Sequence, residues 1–314
     1  MSQMQVTLSS AALSRKSKEQ GHLFRVRLAW LVAIAFLGYL AVTGYDYYLL
    51  PREMRPFSDK HEFLRPSGSV GIKLGILGVA LFCIIFLYAL RKVIPWLGRI
   101  GTAKHWMDFH IVAGVSAPVV IAFHAAFKFN GIAGVAFWIM LAVALSGIGG
   151  RYLYTQIPRS LNAAELSYKE LEEGEDELAE ALRHQSIYKP EYLERIFAMP
   201  SSEHVRKSLA VVAIFEMMML DIRRPFQIAK LRRKASSFGT NLRTLGGLFS
   251  SGNPDVENVI RLVRQKAGLS KRILFLDRTQ RVFHLWHVIH RPFSYAFAVL
   301  AIIHIIVVMN LGFL

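Results

Sequence analysis

The chain has 314 residues, 53% of them apolar, and its 38 Lys and Arg against 22 Asp and Glu give a formal charge of +16. That is more apolar sequence than one soluble core of this length needs, which points to membrane residence; a single cysteine, Cys83, excludes intrachain disulfides, Cys-ligated clusters and thiolate zinc sites. In a membrane chain a basic excess is first a topological signal and not a nucleic-acid footprint.

Five stretches, residues 26–50, 71–96, 105–128, 131–155 and 281–312, are long and apolar enough to cross ~30 Å of hydrocarbon, which takes ~20 helical residues. The first follows Arg25 and Arg27 as a signal peptide would. Its apolar run is far longer than the ~7–15 residues of a signal core, so it is read as a retained anchor. The loops sort by charge. The N-terminal tail 1–25 (Arg15, Lys16, Lys18, Arg25) with Arg27 just beyond it, the turn from Arg91 to Lys104 and the segment 156–280 are all basic and fall on one side of a five-span path. Residues 51–70 mix Arg52, Arg55, Lys60 and Arg65 with Glu53, Asp59 and Glu62. The expected protein is an all-α integral membrane bundle, N-terminus in and C-terminus out, in a bacterial inner membrane. Spans 1–4 lie in 26–155, a helical cytoplasmic insertion in 156–280 and span 5 in 281–314.

The insertion is too long for a passive loop. "ELSYKELEEGEDELAEAL", residues 165–182, reads as a solvated acidic helix interrupted near Gly174. "SLAVVAIFEMMMLDI", residues 208–222, is short for a crossing and carries Glu216, so a packed or interfacial helix is expected. Arg223, Arg224, Lys230, Arg232, Arg233 and Lys234 follow it, a run that suits either anionic headgroups or a solvated positive-inside face. Together the acidic and basic patches make the insertion a candidate docking platform for a cytoplasmic redox protein.

The informative residues lie in spans 3 and 5. "HIVAGVSAPVVIAFH", 110–124, and "HRPFSYAFAVLAIIH", 290–304, each place thirteen residues between two histidines. Fourteen steps of about 100° return to within about 40° of the starting face, and the rise of about 21 Å sets one histidine toward each leaflet. Spans 3 and 5 run in the same direction, so His110 is expected to face His290 at the cytoplasmic depth and His124 to face His304 at the outer depth. Two imidazoles at one depth suit the axial positions of a haem iron, with Ala113, Gly114 and Ala117 in span 3 and Ala296, Ala298 and Ala301 in span 5 leaving room for the ring. His105, His284 and His287 lie near the inner surface; His287 is the alternative to His290 but stands about 100° out of phase with His304. Pro292, and Pro118 in span 3, weaken the ideal-helix arithmetic. Arg151, Lys104 and Arg291 at the inner site and Lys128 at the outer are candidate propionate partners, each also readable as a solvated membrane-edge cation.

The two H-x13-H helices resemble the di-haem membrane cytochromes b, a group that includes ferric-reductase-like transmembrane domains, b561-type proteins and the haem-bearing core of cytochrome b of quinol-oxidising complexes. A third and a fifth helix each giving two histidines most closely matches the ferric-reductase and NADPH-oxidase plan. The resemblance covers the bundle and not 156–280, and no flavin and nicotinamide domain is expected after span 5. It implies two non-covalent haem b groups held by His110, His124, His290 and His304. The function expected is that of an electron-transfer subunit of an oxidoreductase complex, passing electrons across the membrane. Its partners would be a separate cytoplasmic redox protein, a c-type cytochrome or a quinone, with membrane lipid around the bundle. A quinol dehydrogenase or quinone reductase subunit is the alternative within this chemistry. A proton or metal transporter, or an assembly protein using intramembrane histidines, is the alternative outside it.

Overall fold

The computed structural model describes residues 2–157, 164–183, 185, 187–235, 249–250 and 253–312, and among them the chain is helical with no strand. The helices are α1 Ser2–Leu49, α2 His61–Leu64, α3 Ser69–Leu90, α4 Pro95–Gly98, α5 Ala103–His124, α6 Gly131–Gln156, α7 Ala164–Arg183, α8 Pro190–Ile196, α9 Ser202–Lys207, α10 Ala210–Ala235 and α11 Pro254–Asn310. Five of them, α1, α3, α5, α6 and α11, are long and apolar enough to cross a membrane. This is a membrane protein by that measure.

Local chemistry sets the boundaries. α3 ends at Leu90, short of the expected residue 96, because Ile94 is extended (φ −94°, ψ 110°) ahead of Pro95, which opens α4 at its first turn. Thr102 starts α5: its hydroxyl accepts from the His105 amide, which satisfies one of the amides a helix leaves free at its start. Before α6 the chain turns on Gly131 (φ +64°), and a side chain at Gly134 would strike the Phe129 carbonyl, so both positions call for glycine. Pro118 and Pro292 sit inside α5 and α11 without ending either helix. Gly174 does not interrupt α7, contrary to expectation. The helix runs through it from Ala164 to Arg183, and a Cβ there would meet only Leu269 Cδ1 at 3.6 Å.

The chain divides into two compact units, Met1–Gly149 with Ile289–Leu314, and Gly150–Val288. In the first, Leu40, Leu74, Val120 and Phe123 join α1, α3 and α5, while Ala117, Ala122, Phe137 and Met140 join α5 and α6. α5 is its central helix: 44% of its apolar window is buried, against 6% in α1. Elsewhere the spans show large apolar side chains outward, Leu31, Ile34 and Val42 on α1 among them, the pattern of a lipid-facing surface.

The second unit has two apolar clusters. Leu182, Leu193, Ile228, Leu231 and Val263 form one, and Leu153, Val205, Ala213, Met217 and Phe275 the other. Each fully buried side chain of this kind contributes roughly 1.5–3 kcal/mol. The segment 208–222 is thereby a packed helix on one side, with Ala213, Ile214 and Met217 buried. A polar knot stands beside it: Lys271 Nζ reaches both Asp221 oxygens at 2.6 and 2.8 Å, and Tyr152 donates to Asp221 Oδ2 at 2.8 Å. Arg232, expected in a basic run facing headgroups or solvent, is instead buried and bidentate to Glu257 at 2.7 and 2.8 Å.

Candidate functional site

The histidines of the first unit are held by their Nδ1 atoms. His110 on α5 meets the Ile85 carbonyl of α3 at 3.0 Å, and its ring lies 5.2 Å from that of Tyr88. His124, at the end of α5, meets the Gly71 carbonyl at 2.8 Å. His290 on α11 lies 2.8 Å from Ser146 Oγ on α6, and since that hydroxyl donates to the Val143 carbonyl at 2.8 Å, its oxygen accepts the imidazole proton. A carbonyl can only accept, so His110 and His124 carry a proton on Nδ1, and His290 does likewise. In His110 and His124 this leaves the Nε2 lone pair to bind something else. That is the tautomer an imidazole adopts as an axial metal ligand steadied by a neighbouring acceptor.

Close backbone approach supports the same rings. A Cβ on Gly75 would come within 2.9 Å of His124 Cε1, so α3 meets the imidazole face only because residue 75 lacks a side chain. Gly147 lies in ordinary contact range of His290, a Cβ there standing 3.7 Å from Cε1. Gly114, between the histidines of α5, has nothing within 4 Å of where a Cβ would stand, whereas Ala113 and Ala117 are buried in protein. On α11, Ala298 and Ala301 are half-buried and Ala296 is exposed.

Of the expected pairs, His124 and His304 come within electrostatic range of one another. His110 and His290 are each fixed by a different helix, α3 and α6 respectively. His287 falls in the second unit, where its Nδ1 turns back to the Phe283 carbonyl of its own helix at 3.2 Å and its ring packs edge-on to Phe283 and Trp286. Arg151 also belongs to the second unit, with its guanidinium 6.0 Å from the Tyr154 ring centre, while Arg291 belongs to the first. Lys104 pairs with Glu19, and Lys128 is exposed.

Two features escaped the sequence reading. Lys92, just past α3, lies within electrostatic range of both His110 and Arg291; burial and then Arg291 hold its ammonium below the ordinary lysine range. His22 on α1 is 1% exposed, stacks on His105 at 3.6 Å and meets Asp108 Oδ2 at 3.0 Å.

Haem fits this donor set: it needs two imidazoles per iron with free Nε2 atoms, room beside a small residue, and cations for its carboxylates. The chain offers Nδ1-anchored histidines, open space at Gly114, and Lys92 within electrostatic range of His110 and of Arg291. Among the described residues no three or more His, Cys, Asp or Glu gather as a metal centre, so the donors come as histidines spread along the bundle and not as one cluster. No protein-family model, curated protein or solved structure matches the chain.

Proposed function

We propose that the chain is a di-haem b-type electron-transfer subunit of the membrane. His124 and His304 bind one haem iron and His110 and His290 the other. The observation that carries this reading is the common tautomer: three intramembrane histidines each give Nδ1–H to a protein acceptor, the nitrogen opposite the one that would bind iron. A proton carrier would gain nothing from having the same nitrogen fixed in each ring, whereas an axial ligand needs its second nitrogen held.

Bound haem would supply one-electron chemistry, and the chain's residues do the rest. Ile85, Gly71 and Ser146 set the orientation and basicity of the ligating rings. Gly75 and Gly114 keep side chains away from the space beside the histidines. Lys92, within range of His110, and Arg291 beside it would neutralise a carboxylate of a bound haem. The surrounding apolar side chains of α3, α5 and α6 exclude water and so set the reduction potential.

The test is the reduced-minus-oxidised visible spectrum of the purified full chain, with haem extracted and counted per polypeptide. Two haem b per chain is the expected result. A chain purified from haem-replete cells with no haem at all sinks the proposal and leaves an intramembrane proton or metal carrier as the reading to pursue.

A further inference from the structure

α10 has two apolar sides, and only one is used by the protein. Ala213, Ile214 and Met217 pack inward. On the opposite side Val211, Phe215, Met218, Ile222 and Phe226 are exposed, Phe215 by 58% and Phe226 by 64%. At about 100° per residue these five fall within an arc of about 80°, one continuous stripe over four turns. Arg223 lies at the surface beside this stripe, and Lys230, Arg233 and Lys234 continue the exposed side over the last two turns. Soluble surfaces rarely carry so long a contiguous apolar stripe without a partner.

We propose that this face of α10 lies in the surface of the same bilayer that the five spans cross, with its apolar stripe among the acyl chains and its basic end on anionic headgroups. The second unit is joined to membrane-crossing helices on both sides, through α6 and α11, so it is confined to the bilayer surface. The charge has the right sign: three exposed cations follow the stripe and Arg223 flanks it, while Glu216, the acidic residue beside it, is turned to His204 at 3.0 Å. α10 does not cross, because Glu216, Asp221, Arg223 and Arg224 interrupt any stretch long enough to span. The inference is independent of haem binding.

The experiment uses the full chain in nanodiscs containing anionic lipid, in a Cys83→Ala background, with single spin labels at Phe215→Cys or Ile222→Cys. Glu203→Cys, on α9, is the aqueous control; its native side chain is 66% exposed. Collision with oxygen, which partitions into lipid, is compared with collision with a water-soluble nickel chelate. Oxygen should dominate at 215 and 222 and nickel at 203, and the oxygen-to-nickel ratio at 215 and 222 should fall when all lipid is zwitterionic. Nickel dominating at 215 or 222 overturns the proposal. Exclusion of both reagents overturns it too, since a protein surface such as a second copy of the chain would then cover the stripe. A ratio unchanged in zwitterionic lipid overturns the assignment of the basic end to headgroups.

Discussion

His22 lies flat on His105, ring centres 3.6 Å apart, and the same imidazole meets Asp108 at 3.0 Å, so α1 is fastened to the start of α5 across 86 residues of sequence. In the polar contact His22 is buried, at 1% exposure, and Asp108 is partly buried, at 12%. His22→Ala should therefore cost about 1 kcal/mol, the hydrogen bond to Asp108 together with the ring stacking, and Asp108→Asn about half that, because the amide oxygen still accepts. Thermal unfolding of the full chain in detergent measures both. Equal and negligible losses would make the contact incidental.

The paired histidines give the sharpest test of the proposed function. His124→Ala and His304→Ala should empty one haem site, and His110→Ala and His290→Ala the other, each variant keeping about one haem of two. The double variant at His124 and His304 should hold as much haem as either single one, and that at His124 and His290 none. His287→Ala should be nearly silent, since its Nδ1 is spent on its own helix. Full haem content in both His110→Ala and His304→Ala would falsify the assignment.

Ser146 is a positioning residue for His290. Removing its hydroxyl takes away the acceptor at 2.8 Å, so Ser146→Ala should weaken haem retention at that site by roughly 10–100-fold and shift its midpoint potential, with Ser146→Thr restoring both. A purely structural role would lower stability and leave the potential where it was.

Gly75 and Gly114 should separate packing from cofactor space. Gly75→Ala forces the His124 ring to move, since the new Cβ would stand 2.9 Å from it, and should lower folding stability even in haem-depleted cells. Gly114→Phe has open space to enter and should leave the apoprotein folded while cutting haem content. Equal haem in Gly114→Phe and wild type would show that the space beside residue 114 belongs to lipid.

Much of this fold could be read from composition and spacing, and the exceptions have physical causes. The five crossing helices announce themselves because a hydrocarbon layer demands long uncharged runs. The 57-residue length of α11 does not, because its watery half and its membrane half share the same helical period and only Pro292 marks the later part, so residue 281 looked like a beginning. Gly174 was misread for the opposite reason: glycine weakens a helix by only about 1 kcal/mol, too little to break a 20-residue helix rich in Glu, Leu and Ala. Phase alone suggested the histidine pairs, but which nitrogen each ring presents depends on acceptors at Ile85, Gly71 and Ser146, none of which carries a sequence signature. His22 sits in a stretch that reads as a polar tail, and its partners are on another helix.

Asp221 is the keystone of the second unit's polar knot. Lys271 is 5% exposed, so Asp221→Ala leaves its ammonium buried without a carboxylate and should destabilise the unit by roughly 3–5 kcal/mol, whereas the paired exchange of Asp221→Leu with Lys271→Met should recover most of that. Limited proteolysis between residues 150 and 280, with haem absorbance followed in parallel, distinguishes loss of this unit from loss of the bundle.

Reporter fusions test the orientation that the loop charges imply. A fusion near residue 205 should report the cytoplasm and one after residue 314 the outer side. An outer signal near residue 205 would invert the proposed depths of both haem sites.

Arg55 carries a consequence for how the chain is made. Its buried guanidinium donates to the carbonyls of Tyr48 and Leu50, which close α1, and to that of Ala126, in the left-handed turn after α5. During synthesis the first two acceptors exist as soon as α1 has emerged, but the third is not made until 71 residues later. Until then the guanidinium has a reason to stay in water, because burying it would strand a charged donor. On that argument the end of α1 should stay unsealed until Ala126 arrives, when the arginine can withdraw and join the ends of α1 and α5. Biogenesis in this picture has a latch, and an Arg55→Met chain should insert normally yet remain open to protease at residues 50–65 long after synthesis is complete.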